Sequence, residues 1–483
     1  MAAVHLRTLC AAAPALLALT LAACDGGDAP AKGTDAVAAP APGAGGGVAL
    51  GTVPPLPPGL PAPYLSGVIP TEVPARPDSA KTPDQSRPWF DVFSWQSFIA
   101  LNWPASQQGR GNAQSPADSS AFLNMQNGAL VVWGSYKETG ELFGQGSARP
   151  TAFDDWNSAV EPCGGKLANG QKAFTFTSKG NSLFNDAAQS FSWPLVDQQH
   201  GYARYEVRYN RAQYDTIRGP DGDNTRWVYL STNLRRNTPF VMPASTAAGN
   251  VGAIMTKAAW RPLTAQDDTS KFFRVTALVA NDSAGQQCSE VLMGLVGLHI
   301  AQKVDAFPQW VWSSFEHVSN VPGTGSRKQG TGSGYSYNNG LDTPQSVYGW
   351  SYRPDTLILP PNAPPVQVTR VNDIPGTPAG ASTQDINNIY QAFLQNTVWS
   401  NYQLVITQWP SQPKSFVLTD SGGSYPQDAG AAFPVWGAVN SVIETYMQTR
   451  ENASGGGGNS CMSCHYQAGN TDFSWGLRRR AHP

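Results

Sequence analysis

The sequence predicts an α+β protein in which β-structure dominates the large domain. Two patterns predict this class. Between about residues 130 and 312, short apolar runs and period-two alternation recur between turn signals, as strands require. Helical spacing of apolar residues appears only at the start of the domain and in the last hundred residues. With 14% charged residues, 48 Gly and 39 Pro, the 483-residue chain has the composition of a loop-rich protein.

Residues 1–23 have the form of a secretory signal peptide. Arg7 supplies a positive charge, and the apolar stretch after it is too short to span a bilayer comfortably. The stretch ends in Leu-Ala-Ala-Cys at residues 21–24, which resembles the lipobox of bacterial lipoproteins. That resemblance implies a lipidated Cys24 and a lipid anchor on the periplasmic side. Asp25 slightly favours the inner over the outer membrane, and an ordinary signal peptide is the alternative.

Residues 24–88 are rich in Ala, Gly and Pro and carry no lasting apolar period. Such a composition cannot bury enough apolar surface to offset the entropy of ordering it, so it predicts a tether. The alternative is that its end, Pro70 to Pro88, packs along the domain as an extended strap. The β-rich domain is predicted over residues 89–433.

That domain opens with a predicted buried helix, from Trp89 to Trp103, which Pro104 ends. Tyr205, Val207 and Tyr209 alternate with charged residues, which predicts a half-exposed strand. The apolar run at residues 291–300 predicts a central strand. Strand patterns occur at residues 130–133, 174–176, 205–209, 227–230, 272–280, 291–300 and 310–312.

The last hundred residues return to helical spacing. A helix is predicted after Ser382, which forms a capping pair with Asp385, and a strand follows at residues 402–409. A final helix is predicted from Pro434 to Met447. It opens the fourth predicted segment, residues 434–483.

Cys461, Cys464 and His465 form a Cys-x-x-Cys-His sequence, which is the attachment signature of c-type haem. Two thiols at this spacing can add to the two vinyl groups along one porphyrin edge, and the adjoining imidazole can bind the iron. The sequence therefore predicts one covalently bound haem c per chain, with His465 as proximal ligand. A zinc site would need further ligands, of which only His482 is near in sequence, and a redox dithiol is the other alternative.

With this motif near its end, the chain resembles uncharacterised bacterial monohaem cytochrome c family lipoproteins, over residues 95–104, 297–320 and 440–465. The resemblance implies covalent haem and export, but it assigns no substrate. Only 18 residues follow His465, and none is a methionine. The haem segment is therefore predicted to dock on the β-rich domain, and not to be a self-standing cytochrome c fold.

Few residues are candidates for the second axial ligand. His299 lies in an apolar stretch, and His317 ends an aromatic run. Each is a possible distal ligand; the alternatives are a core histidine for His299 and surface packing for His317. Without a protein ligand the iron would be five-coordinate and open. Arg478 to Arg480 could reach the haem propionates or form a solvated basic tail.

Cys163 and Cys288 are the remaining cysteines outside the signal peptide and the two motifs. In an oxidising compartment such a pair predicts a disulfide.

The predicted function is electron transfer by a membrane-tethered, exported monohaem cytochrome. Its partner would be a redox protein or a small-molecule electron donor or acceptor. The alternative is a haem-dependent oxidoreductase, peroxidase- or oxygenase-like, with an open iron and a substrate pocket in the β-rich domain. A weaker alternative is a sensor or assembly lipoprotein with structural haem. Lys+Arg 32 against Asp+Glu 34, without a basic run in the body, argues against nucleic acid as a partner.

Overall fold

The computed structural model confirms a β-rich, roughly α+β architecture. It describes residues 51, 54–77, 82–143, 152–156, 168–174, 194–218, 240–280, 288–323, 334–340, 364–377, 380–410, 413, 417–419, 422–424, 432–433, 439–448, 460–466, 468 and 471–480.

Within these ranges the elements have the following bounds. The helices are α1 (Pro83–Leu101), α2 (Ser119–Leu123), α3 (Thr139–Phe143), α4 (Arg211–Arg218), α5 (Thr383–Phe393), α6 (Cys461–Tyr466) and α7 (Trp475–Arg480). The strands are β1 (Lys137–Glu138), β2 (Lys172–Phe174), β3 (Arg204–Tyr209), β4 (Ile254–Pro262), β5 (Arg274–Ala280), β6 (Cys288–Val304), β7 (Phe307–His317), β8 (Tyr402–Pro410), β9 (Val417–Thr419), β10 (Gly422–Ser424) and β11 (Ala432–Phe433).

One main sheet organises the described residues, with seven of its strands in the order β1-β3-β4-β6-β7-β8-β11. The 17-residue β6 pairs with β4 along one edge and with β5 and then β7 along the other. The short β2 pairs in parallel with β5, whereas the other neighbours are antiparallel. The predicted central strand is therefore confirmed. Strands β9 and β10 form a separate hairpin.

Helix α1 covers one face of the sheet. It begins at Pro83, earlier than predicted, because Thr82 and Gln85 form a capping box and proline suits the first turn. Its Ser94 hydroxyl lies 2.7 Å from the Ser313 hydroxyl of β7. The ring of Phe98 stacks on that of Phe315 with centroids 4.4 Å apart.

Helix α5 lies beside α1 on the same face. The predicted cap of Ser382 with Asp385 is confirmed, since each side chain bonds the backbone of the other residue. The Asn387 amide donates to the Leu404 carbonyl of β8 at 2.8 Å and accepts from the Trp95 indole at 3.1 Å. One side chain thus joins both helices to the sheet.

The end of the predicted tether packs against this body. Leu60 is buried, and Leu56, Ile69 and Val73 lie against the core. The Pro70 carbonyl accepts a hydrogen bond from the Gln302 side chain. Residues 70–77 therefore make contacts of the kind that the strap alternative predicts, whereas residues 83–88 form the first turns of α1 and not an extended strap.

Two strand predictions need correction. Residues 130–133 form only an isolated bridge to Pro104, followed by a 3₁₀ turn, because the Trp133 indole donates inward to the Asn102 side chain at 2.8 Å. Strand β3 is formed as predicted, but its charged residues are buried and not half-exposed. Glu206 is 2% exposed, because it pairs with Arg208 and with Lys172 of β2 at 2.7 Å.

The helix predicted from Pro434 to Met447 is not formed over residues 439–448, which make turns and a short 3₁₀ segment, Thr445–Met447. Tertiary hydrogen bonds explain the difference. Asn440 donates to the Phe315 carbonyl at 2.7 Å, and Ser441 donates its N–H to Glu316 at 3.0 Å. Such bonds compete with a helical backbone. The predicted strand at 227–230 lies outside the described residues.

Candidate functional site

The Cys-x-x-Cys-His sequence forms the short helix α6. Helical geometry places Cys461, Cys464 and His465 on one side of the turn, because residues three and four apart are neighbours on a helix. Neither thiol forms a disulfide. The Cys461 N–H donates to the Gln408 side chain of β8 at 2.8 Å, and Met462 is buried in the main core. The helix is thereby fixed to the sheet.

Burial raises the pKa of the Cys461 thiol, and the nearby Glu444 and Cys464 raise it further. A reactive dithiol needs the opposite shift, since the thiolate is the nucleophile. The environment of Cys461 therefore does not suit the redox-dithiol alternative.

His465 has one ring nitrogen engaged. Its Nδ1 lies 2.7 Å from the Phe473 carbonyl oxygen, so Nδ1 carries the proton and donates. Burial lowers the pKa of His465 to about 4, so the ring is neutral at pH 7. In that tautomer Nε2 presents a lone pair, as a metal-binding imidazole does when its other nitrogen donates to a carbonyl. The Trp312 ring lies against this imidazole, with centroids 4.5 Å apart.

The Phe473 carbonyl belongs to a strained turn. Asp472 has φ 50 and Phe473 has φ 65, and neither is a glycine. Left-handed conformations cost about 1–2 kcal/mol per residue for side chains with a Cβ atom. Such strain persists where the surroundings hold the residue in place, and Asp472 is only 1% exposed.

Three rows of side chains run across the sheet face opposite α1. Segments from the end of the chain cover the two outer rows. The ring of His465 and the N–H of Cys461 contact the first row, and the Val442 carbonyl accepts from the Tyr205 hydroxyl of the third row at 2.8 Å. Register partners define the rows as Tyr209, Met255, Ala301, Trp312 and Gln408; Val207, Lys257, His299, Ser314 and Ile406; and Tyr205, Ala259, Gly297, Glu316 and Gln403.

The middle row is less covered at β3, β4 and β6, whereas its Ser314 and Ile406 are buried. Val207 is the only half-buried residue of β3, and Lys257 and His299 are half-buried between fully buried neighbours. These three are direct register partners on β3, β4 and β6. This half-buried part of the middle row lies between the two covered rows.

Charged groups converge on the middle row. Glu444 Oε2 lies 3.3 Å from His299 Nε2, which is buried but not aligned for a hydrogen bond with any described residue. Burial opposes ionisation of Glu444, yet His299 and Lys257 outweigh it, so the pKa of Glu444 lies below its usual range. Burial lowers the pKa of Lys257, against the charges of Glu444 and the two motif thiols.

The charged groups at the middle row also shift the pKa values of the motif residues. Lys257, His299 and Glu444 all act on the pKa of His465, although burial dominates it. Lys257 and Glu444 also act on Cys461. The chain therefore brings two thiols, an imidazole whose Nε2 presents a lone pair and a second imidazole that faces Glu444 to one side of the sheet.

His317 lies on the other face. Its Nδ1 accepts from the Ser319 N–H at 3.2 Å, so its Nε2 donates to the Lys271 carbonyl at 3.0 Å. Its ring stacks on Phe272 with centroids 4.0 Å apart, and burial lowers its pKa to about 4. To bind an iron held by the motif, His317 would have to break both bonds and cross the sheet.

Several predicted site residues lie outside the residues that the structure describes. Cys24 and Cys163 are not among the described residues, nor are the side chains of Arg478 to Arg480. Cys288 begins β6, and its pairing with Cys163 stays a prediction because Cys163 lies outside the described residues.

The described ranges contain no group of three or more His, Cys, Asp or Glu side chains arranged to hold a metal ion. A zinc ion in a structural site needs four such ligands, whereas iron in a porphyrin needs only one or two from the protein. The donor set at the motif therefore fits a haem better than a bare ion. No helix in the described part of the chain is long and apolar enough to cross a membrane.

A pocket of about 540 Å³ lies on the α1 side of the sheet, between residues 127–134, 168–172 and 273–276. Its Asn127 amide donates to the Phe272 carbonyl at 2.8 Å, and its Lys172 is paired with Glu206. It is separate from the middle row.

No family model, curated protein or solved structure matches this chain.

Lys257, Glu444 and Asp472 are not among the site residues predicted from the sequence. Lys257 gave a signal, since it interrupts the apolar start of β4. Glu444 and Asp472 gave none, because their partners lie far away in the sequence: His299 for Glu444, and Lys303 for Asp472.

Proposed function

We propose that the chain is an exported, lipid-anchored c-type monohaem cytochrome that transfers electrons. Cys461 and Cys464 would hold the haem covalently, His465 would be the proximal ligand and His299 the distal one. The observation that carries the proposal is the tautomer of His465. Its Nδ1 donates to Phe473 and leaves Nε2 for iron, on the side of the helix that bears Cys461 and Cys464, neither of which forms a disulfide.

His299 is the better distal candidate for a physical reason. Its Nε2 is buried and lacks a hydrogen-bond partner among the described residues, whereas both nitrogens of His317 are engaged. Glu444 Oε2 lies 3.3 Å from this nitrogen without an aligned hydrogen bond, and binding to iron would satisfy the nitrogen. Two imidazole ligands would leave no open position, which suits a carrier.

The haem, when bound, supplies one-electron chemistry. The protein residues bind and orient it. Thioether bonds at Cys461 and Cys464 would prevent its loss, and the Phe473 carbonyl would orient the His465 ring. In the middle row, Val207 would offer the haem an apolar surface, and Lys257 would offer a positive charge to its negatively charged groups. A redox protein or a small-molecule electron donor or acceptor would then be the partner.

Two measurements test the proposal. A pyridine haemochrome assay on protein matured with a working haem-attachment system should report one c-type haem per chain. Replacing Cys461 and Cys464 by alanine should abolish it. Absence of covalent haem in the wild-type protein would refute the proposal.

The axial ligand is tested by the ferric optical spectrum. We expect a low-spin spectrum in the wild-type protein and a high-spin one in His299→Ala. His317→Ala is the matched control, because it removes a buried imidazole from the opposite face and should leave the spectrum unchanged. A low-spin spectrum in His299→Ala would exclude His299 as the ligand.

One observation favours the second candidate, a haem-dependent oxidoreductase. Glu444 and Lys257 stand beside His299, and such groups can move protons at a site where a small molecule reacts. This candidate predicts a wild-type ferric protein that is high-spin and binds cyanide, with His299 as an acid–base group and not as a ligand.

A further inference from the structure

The turn at residues 471–474 fixes the carbonyl that the proximal imidazole uses. The Thr471 hydroxyl donates to the Ala468 carbonyl at 3.0 Å, and the Ser474 N–H donates to the Thr471 carbonyl at 3.1 Å. Between these bonds Asp472 and Phe473 both take left-handed backbone angles. The Phe473 carbonyl that lies 2.7 Å from His465 Nδ1 belongs to this turn.

Asp472 is bound by three separate parts of the body. Its Oδ2 accepts from the Met242 N–H at 2.6 Å and from the Lys303 ammonium of β6 at 2.5 Å. Its Oδ1 accepts from the Trp310 indole of β7 at 3.2 Å. The Asp472 and Lys303 side chains are 0% and 3% exposed. These bonds tie the strained turn to the sheet.

We propose that Asp472, paired with Lys303, is a positioning residue for the axial ligand His465. The inference rests on the proposed function. The buried ion pair holds the left-handed turn, the turn holds the Phe473 carbonyl, and the carbonyl holds the Nδ1–H of His465. A strong bond at Nδ1 makes the imidazole a better electron donor, which favours ferric over ferrous iron and lowers the reduction potential.

Asp472→Asn is the direct test. Asparagine keeps the shape and tolerates the left-handed region, so the charge is lost and one carboxylate acceptor is replaced by an amide N–H donor. Loss of an outer-shell partner weakens metal binding by about 10–100-fold. If binding of ferric iron alone is weakened tenfold, the reduction potential rises by about 59 mV for a one-electron couple.

Lys303→Gln is the second variant, since it removes the partner and leaves Asp472 intact. Asp197→Asn is the matched control, because Asp197 is an equally buried carboxylate paired with Arg261 at 2.9 Å, away from the motif. All three variants should melt at lower temperature. Only Asp472→Asn and Lys303→Gln should raise the potential.

The outcomes separate the two proposals. Wild-type protein without covalent haem refutes the proposed function itself. Covalent haem with a potential that neither variant changes refutes the positioning role alone. A rise of the same size in the Asp197→Asn control would also overturn it, because the effect would then be general destabilisation. If Asp472→Asn does not fold, the reduction potential of Lys303→Gln tests the positioning role.

Discussion

Gly297 is where the segment that carries Glu444 rests on the central strand. A Cβ atom added there would lie 2.8 Å from a methyl group of Val442 and 3.2 Å from the Asn440 side-chain oxygen. Neither neighbour can move easily, since the Val442 carbonyl is bonded to Tyr205 at 2.8 Å and Asn440 to the Phe315 carbonyl at 2.7 Å. Gly297→Ala should therefore lift residues 440–444 off the sheet.

Forcing one methyl group into such a contact costs about 1–3 kcal/mol. For a large domain that corresponds to about 2 °C per kcal/mol, so the melting temperature should fall by roughly 2–6 °C. Lifting the segment should also move Glu444 away from His299 and open the distal side. The ferric protein should then bind cyanide more tightly than wild type.

Gly294→Ala is the matched control on the same strand. Its Cβ atom would lie 2.9 Å from the Leu263 side chain, and the three atoms nearest to it all belong to Leu263 and not to residues 440–444. We expect a comparable fall in melting temperature and an unchanged cyanide affinity. Equal cyanide affinity in the two variants would refute the claim that the segment forms the distal side, and an unaltered melting temperature in Gly297→Ala would refute the packing argument.

Four further predictions follow from the sequence and the buried charges. Cys24→Ser should block processing or release the protein from the membrane fraction; a variant that stays anchored after normal cleavage contradicts the lipobox. Non-reducing mass mapping should find the Cys163 and Cys288 peptides joined, and free alkylation of both in the native compartment would end that pairing. Burial raises the pKa of Asp91 from 3.8 to about 6. Its contribution to stability is therefore full below pH 3.8 and is lost as pH rises through 6, by about 3 kcal/mol at most, so the pH slope of unfolding should flatten there in Asp91→Asn. Glu206→Gln should destabilise the fold by about 3–5 kcal/mol in urea titrations, because it leaves two buried cations of β2 and β3 unpaired, and a change below 1 kcal/mol would contradict this.

Local signals predicted the elements that depend on local chemistry. The Ser382 and Asp385 cap, the apolar run of β6 and the strand at residues 402–409 all follow from patterns within a few residues. Each is also consistent with its burial, so local preference and tertiary packing agree.

The prediction failed where distant partners decide. The alternation in β3 indicated a solvent-exposed face. Lys172 from β2 neutralises Glu206, however, and this lets that face be buried. The apolar stripe of residues 436–447 indicated a helix, but hydrogen bonds of Asn440 and Ser441 to β7 override it.

The candidate site divides in the same way. The spacing of Cys461, Cys464 and His465 is a local signal for haem attachment, and the sequence supplied it. The choice between His299 and His317 depends on which face of the sheet each occupies, which the register of β6 and β7 determines. No local pattern reports that Lys257 and His299 are cross-strand neighbours.

The order of the chain imposes an order of assembly on the site. The strands that support the motif, from β3 to β8, all precede it, whereas the carbonyl that orients His465 follows it at Phe473. A nascent chain can therefore complete the supporting sheet before either motif thiol has been synthesised. The last partner to arrive is the turn at residues 471–474, so a chain that stops between Tyr466 and Phe473 would have both thiols but no acceptor for the proximal imidazole. Synthesis of residues 471–474 is thereby coupled to the tautomer of His465.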